Sequence, residues 1–243
     1  MSNNLNDLKG IEVVSLDNWQ TILIPHRLTR KQRAQSLKEY LGLKCDLETI
    51  ETTLTLANTM LDNISLTTGK HYGVSTRVMS FNMLLPDEIR IGGLSEETAA
   101  GFSSYSAAQL KTHPPVLFEE DIRDTLQKLS SAGLKIVLCS NTGFVDGVFI
   151  RELFEELDIK KYFNFFVFSN EIGWVKPSPR IFAYLSIMTY TSPQKILHIG
   201  DSYEEDYLGA KKSGLRALHL CPKGNPGTDS VSRIKNLIDL LAI

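Results

Sequence analysis

Four sets of polar side chains in this 243-residue chain each follow a short apolar run. Asp17 comes after Ile11-Glu-Val-Val-Ser-Leu16, and Ser140-Asn141-Thr142-Gly143 comes after Lys135-Ile-Val-Leu-Cys139. Lys176 lies in the loop after Phe165-Phe-Val-Phe168, and Gly200-Asp201 closes Ile196-Leu-His-Ile199. Two carboxylates, an ammonium and a group of hydroxyls and amides are what a site uses to hold cations and anions together. A lone aspartate at a strand end, or a Ser-Asn-Thr turn, is commonplace. Four such ends in one chain point to a shared site, because ligands of open parallel sheets sit at the carboxyl ends of the strands.

The elements that must position these residues follow from periodicity. Apolar strands alternate with helices from Glu119 onward: helices over Glu119 to Ala132, Phe149 to Leu157, Pro179 to Met188 and Glu204 to Ser213, and strands at 135–139, 165–168, 196–199 and 217–220. That alternation predicts a parallel sheet covered on both faces. A closing helix is expected over Val231 to Leu241. Between the first strand and the Pro114-Pro115 break the chain looks all-helical, with helices over Leu28 to Leu43, from Asp46 onward, over Thr76 to Leu85 and over Glu96 to Leu110. In the second of these, Leu47, Ile50, Leu54, Ala57, Leu61 and Ile64 fall on one face, the mark of a packed bundle. The predicted organisation is a core of residues 1–24 and 113–243, interrupted by a helical domain of residues 25–112.

Composition limits the partners. A net charge of −2 with mixed signs gives no general field for nucleic acid or an anionic membrane, so an anionic ligand must be held by local groups. Apolar runs too short to span a bilayer, and an N-terminus without a basic and apolar leader pattern, lead us to expect a cytoplasmic protein, monomer or homodimer. Three widely spaced cysteines, Cys45, Cys139 and Cys221, form neither a disulfide framework nor a zinc motif, and Cys139 is expected to pack as a small hydrophobe.

Taken together the four strand ends resemble the motifs of the haloacid dehalogenase-like hydrolase superfamily. The matching segments are Leu16-Asp17-Asn-Trp-Gln-Thr21, Leu138-Cys-Ser140-Asn141-Thr142, Val175-Lys176-Pro177-Ser-Pro179-Arg-Ile-Phe182 and Ile199-Gly200-Asp201-Ser-Tyr-Glu-Glu-Asp206-Tyr-Leu-Gly209-Ala210. The last two are the most specific. The resemblance implies an α/β fold, a Rossmann-like parallel sheet core with an inserted four-helix cap of the family's first subclass. It also implies a phosphatase acting on a small phosphorylated molecule, with Mg²⁺ as cofactor and no nucleic-acid or membrane partner. In that scheme Asp17 attacks phosphorus and forms an aspartyl-phosphate. Asp17, Asp201 and the backbone carbonyl of Trp19 would hold the metal. Lys176 and Ser140 would act on the phosphate, with Thr21 and Asn141 as further substrate-binding candidates. Asp206, assisted by Glu205, would orient Lys176 or metal-bound water.

One position departs from the family's phosphatases, which carry a second aspartate two residues after the nucleophile. Here that residue is Trp19, whose indole N–H does not titrate usefully and cannot serve as general acid or base. Positioned acid–base catalysis is worth roughly 10²- to 10⁴-fold, so the loss bears on turnover. Three readings stay open: a phosphatase whose leaving group is protonated by some other group or needs little protonation, a 2-haloacid dehalogenase-type hydrolase, and a phosphate-binding or protein-interaction module with little turnover.

Other residues carry less. Arg27, Arg30 and Arg33 are expected on a solvated helix face, with a substrate carboxylate as the alternative ligand. His198 and His219 fall within apolar strands and are expected in the core, His71 and His113 lie in or beside the insert, and His26 is the one histidine placed to replace the missing acid. Trp174 is expected to pack or to rim the site.

Overall fold

The computed structural model describes residues 9–24, 30–112, 114–223 and 229–242. The chain opens with β1 (Val13–Leu16) and a two-residue strand β2 (Leu23–Ile24), followed by helices α1 (Arg30–Leu41), α2 (Leu47–Thr68), α3 (Val74–Leu84) and α4 (Glu96–Thr112). It continues through β3 (Val116–Leu117), α5 (Ile122–Ser131), β4 (Lys135–Ser140), α6 (Gly147–Glu156), β5 (Phe165–Phe168), α7 (Ser169–Ile172) and α8 (Pro179–Thr189). The last part is β6 (Ile196–Gly200), a π-helical turn Tyr203–Leu208, α9 (Gly209–Lys212), β7 (Arg216–Leu220), β8 (Ser230–Val231) and α10 (Asn236–Leu240).

Six strands form one sheet in the order β5-β4-β1-β6-β7-β8, every pair parallel. The strands are mostly apolar because both faces are covered: Ile136 to Ser140 of β4 are all fully buried. Val14, Leu16, Ile136, Leu138, Leu197 and Ile199 face the side of α5, α6 and α10, while Val13, Val137, Cys139, Val167 and Ile196 face α8 and the segment after it. From β1 the chain steps outward to β4 and β5, then returns to β1's other edge as β6. The order therefore reverses between β1 and β6, and a crevice opens there at the carboxyl ends.

The helical insert has its own core, with Ala34, Leu37, Ile50, Leu54, Val78, Phe81 and Phe102 buried together. Phe144, from the loop after β4, joins that cluster and ties the insert to the sheet. α2 is delimited by local chemistry: Asp46 accepts the Thr49 N–H at 2.8 Å, and Gly69 ends the helix with φ 72°. A side chain at Gly69 would also press on Ser178, because the next residues are bonded to the core. Val175 N–H donates to the Gly69 carbonyl at 2.9 Å, and His71 N–H donates to Gly173 at 3.0 Å.

Some expectations are corrected. Ile64 is 42% exposed, because the buried stripe of α2 continues from Leu61 to Ser65. The helix expected over Glu204 to Ser213 begins as a π-helical turn and becomes α-helical only at Gly209. The tail expected as one helix over Val231 to Leu241 instead adds β8 to the sheet edge before the short α10. The small antiparallel pair of β2 and β3, closing the base of the insert, was not expected.

Candidate active site

The switch point between β1 and β6 brings the predicted residues together. Asp17 follows β1 and is 7% exposed; Asp201 follows β6 and faces solvent; Asp206 sits in the π-helical turn and is 1% exposed. Carboxylate oxygens of these three lie within 4.8 Å of one another. Lys176, also 1% exposed, reaches in from the β5–α8 loop and donates to Asp17 Oδ1 at 2.6 Å and to Asp206 Oδ1 at 2.5 Å. Ser140 is fully buried at the end of β4.

Electrostatics set the three carboxyls apart. Burial pushes Asp17 up to about 7, only partly offset by the Lys176 ammonium. Burial also opposes the charge on Asp206, but Lys176 and the His198 ring outweigh it and hold this group well below the usual carboxylate range. Asp201 is raised by partial burial and by the charge of Asp206. Lys176 is held charged, well above its ordinary value, because its two carboxylate partners outweigh its burial. Three carboxylates around one ammonium leave an excess of negative charge at the switch point. That excess, with oxygen-only donors, fits a hard divalent cation. Among the described residues no backbone hydrogen bond ends on the Trp19 carbonyl, so that oxygen is open to serve as a further ligand.

Asn141 is committed to bracing the lysine loop. Its Oδ1 accepts the Lys176 N–H at 2.8 Å, and its amide donates to the Lys176 carbonyl at 3.0 Å and to Glu205 at 2.8 Å. Thr21 is fully buried beside the first motif, and its hydroxyl has no hydrogen-bond partner among the described residues.

Two residues expected only in the core have a second task. His198 is fully buried, with Nδ1 2.9 Å from Ser15 Oγ and Nε2 3.0 Å from Asp206 Oδ1. Burial holds its pKa below the ordinary value, so the neutral ring donates from Nε2 to Asp206 and accepts the Ser15 hydroxyl at Nδ1, a tautomer assigned from the network. His219 places Nε2 3.0 Å from the Asp201 carbonyl. Ser15 and His198 are direct partners in the β1–β6 register, a signal that only strand order exposes. His26, His113 and Arg27 lie outside the described residues.

A cleft of about 670 Å³, lined by Lys176 but not by Asp17, Asp201 or Asp206, separates the sheet from the insert. Trp19, Asn141, Lys176 and Glu205 line its core side; Arg33, Asn58, Asp62, Ser65, Arg77 and Phe102 line the helical side. Trp19 packs against the sheet core while showing one edge to this space. Trp174 stacks under the Arg180 guanidinium at 3.8 Å and pairs with Lys70 of the insert.

The chain is similar to known proteins. The chain is 30% identical over 132 residues to bovine haloacid dehalogenase-like hydrolase domain-containing protein 3, a match that covers 54% of this chain and 48% of the relative. It thus spans about half of that relative's length. It is 27% identical to a glyceraldehyde 3-phosphate phosphatase of Methanopyrus kandleri, over 86% of this chain and 84% of the relative. Among solved structures, an HAD phosphatase from Thermococcus onnurineus superimposes with a TM-score of 0.68 at 19% identity, covering 95% of this chain and 98% of that one. A 2-haloacid dehalogenase from Pseudomonas syringae gives 0.65 at 19%, covering 96% and 98%, so the fold alone does not separate the two chemistries. The haloacid dehalogenase-like hydrolase family model matches residues 69–220. That span is more than half of the chain and takes in three of the four strand ends, and on it the chain belongs to the haloacid dehalogenase-like hydrolase family.

Proposed function

We propose that this protein is a Mg²⁺-dependent phosphoric monoester hydrolase acting on a small phosphorylated molecule. The observation that carries the reading is the buried Lys176 shared between Asp17 and Asp206, with Asp201 beside them at the sheet's switch point. Displacement of halide needs no such surplus of carboxylate. The relatives named as phosphatases of glyceraldehyde 3-phosphate and phosphoglycolate support the same chemistry.

In this proposal an oxygen of Asp17 forms a bond to phosphorus as the ester P–O bond breaks, and water later hydrolyses the aspartyl-phosphate. Asp17, Asp201 and the Trp19 carbonyl would hold Mg²⁺, which when bound screens the nucleophile from the phosphate and polarises the phosphoryl oxygens. Lys176 adds a fixed positive charge at the same place, and Asp206, held by His198, keeps the ammonium aimed. Ser140 and Thr21 are the hydroxyls assigned to phosphate oxygens, and Asn141 serves by fixing the Lys176 backbone. Trp19 supplies no proton, so the leaving oxygen takes its proton from a cap group, from the substrate itself or from water. We assign residues 25–112 as a cap domain over a core of 1–24 and 113–243.

The test is release of inorganic phosphate from an aryl phosphate and from a panel of phosphometabolites with and without Mg²⁺. Metal-dependent release that Asp17→Asn abolishes is the expected result. Chloride release from 2-chloropropionate in the absence of metal, with no phosphate release, would move the assignment to dehalogenase.

A further inference from the structure

The helical wall of the cleft carries two guanidiniums and a single carboxylate. Arg77 is fully engaged: Nη2 donates to Asp62 at 2.8 Å, Nη1 to Asn58 Oδ1 at 3.1 Å and Nε to the Tyr72 carbonyl at 3.0 Å. Arg33 is not. Among the described residues no hydrogen bond or ion pair reaches its guanidinium, whose contact is the Phe144 ring at 5.2 Å. The side chain keeps an open surface, and part of that surface lines the cleft. Surrounding protein, and then the neighbouring Arg77 charge, hold Arg33 below its ordinary basicity, with Asp62 acting the other way.

Position links this cation to the chemistry. Phe144 belongs to the same loop as Asn141, which grips Lys176, so Arg33 stands over the outer end of the loop whose inner end meets the nucleophile's lysine. Along the wall between them, α2 turns Asn58, Asp62 and Ser65 toward the cleft, a polar strip about 10 Å long from the helical rise. Ser65 is 6% exposed and its hydroxyl has no partner among the described residues.

We infer that Arg33 receives a second anionic group of the substrate, a carboxylate or a distal phosphate, so that the enzyme selects phosphomonoesters charged at both ends. This inference rests on the phosphatase reading, with one phosphate at Lys176 and the other anion at the far wall. Such a substrate would complete the charge balance around Arg33, Arg77 and Asp62. It would also be shut off from neutral phosphate esters of the same length, because a charge-assisted hydrogen bond in a cleft is worth about a factor of ten or more.

The test compares ω-carboxyalkyl phosphates of two to four carbons with the matching ω-hydroxyalkyl phosphates and α,ω-bisphosphates, as ratios of kcat/KM. For the wild type the charged member of at least one pair is favoured about tenfold or more. Arg33→Ala brings that ratio close to one through KM, Arg33→Lys keeps part of it, and Lys31→Ala, a charge removed from the same helix outside the cleft, leaves it unchanged. Whether carboxylate or bisphosphate gives the higher ratio identifies the anion. Turnover without preference, or equal loss in Arg33→Ala and Lys31→Ala, overturns the inference. If no ester is hydrolysed, the phosphatase reading fails by itself; calorimetry with ω-carboxyalkyl phosphonates against alkyl phosphonates then decides the Arg33 site, and a difference in affinity that Arg33→Ala does not remove, or no difference at all, rejects it.

Discussion

Lys176 Nζ lies 2.6 Å from Asp17 Oδ1, and both groups are shut away from water on the floor of the crevice. Removing one partner of a buried pair leaves the other charge uncompensated, at a cost of about 3 kcal/mol. Lys176→Met, close in length and unable to carry charge, is therefore expected to lower unfolding stability by that order and to remove phosphate release. Asp17→Asn behaves differently. It also removes turnover, but it relieves a carboxyl whose ionisation burial already opposes, so stability in metal-free buffer stays at or above the wild-type value. Urea denaturation of the two variants side by side checks the contrast. Equal destabilisation would mean that the pair is ordinary structural pairing rather than a strained site.

The surplus of carboxylate around Lys176 predicts a metal effect that can be read without turnover. Mg²⁺ binding only to the folded protein raises its melting temperature with concentration. Asp201 is the exposed member of the cluster and has no buried side-chain partner among the described residues, so Asp201→Asn should fold normally and lose most of this Mg²⁺-dependent rise. Chelator should return the wild type to its metal-free melting temperature. The same rise in wild type and Asp201→Asn would place the cation elsewhere.

Much of this site was legible because its residues stand at the ends of apolar runs. Asp17, Ser140, Lys176 and Asp201 could be located without knowing which strand neighbours which. Asp46 likewise announces the start of α2 in local chemistry. What failed depends on pairing between distant segments. Ser230 and Val231 make a strand only because β7 offers its edge, and Ser65 rather than Ile64 continues the buried stripe where α2 lines the cleft. The service of His198 to Asp206 follows from its register with Ser15, which periodicity does not encode.

That histidine gives a third prediction. His198→Ala would leave Ser15 without a partner and Asp206 with only Lys176 and the Ser202 N–H, which donates at 3.0 Å. Loss of a buried partner costs about 1–3 kcal/mol. Loss of a supporting contact behind a metal or catalytic group typically costs about 10- to 100-fold in activity or metal affinity. Because the ring touches no substrate, kcat should fall with KM little changed, and His198→Gln, which keeps a donor, should recover part of it. An unchanged kcat in a destabilised His198→Ala protein would reduce the ring to packing.

A fourth concerns pH and the join between insert and core. His71 Nδ1 lies 3.0 Å from Ser169 Oγ, and its Nε2 is buried without a partner among the described residues. Burial, reinforced by the Arg77 charge, lowers its pKa to about 4 from 6.5. Between those values the unfolded chain binds a proton that the folded chain does not. The stability contributed by this neutral ring is complete above pH 6.5 and is lost as pH falls toward 4. The drop in melting temperature between pH 7.5 and pH 5 should therefore be smaller in His71→Gln than in the wild type. Identical drops would show that His71 is not the group responsible.

Gly200 supplies the last prediction, on the strand end that carries Asp201. A Cβ built at this position would lie 2.2 Å from the Asp206 carboxyl carbon and 2.2 Å from its Oδ2. Such contacts are far inside van der Waals range, and Asp206 cannot swing aside without leaving Lys176, His198 and the Ser202 N–H. Gly200→Ala is therefore expected to cost activity as severely as removal of Asp206, although it adds one methyl and no charge. Asp206→Ala in the Gly200→Ala chain removes the carboxyl, the closest obstacle, but keeps a Cβ 2.8 Å from the new methyl, so it should restore part of the melting temperature without restoring turnover. Full activity in Gly200→Ala would mean that Asp206 can leave its present partners freely, and the positioning role assigned to it would fall.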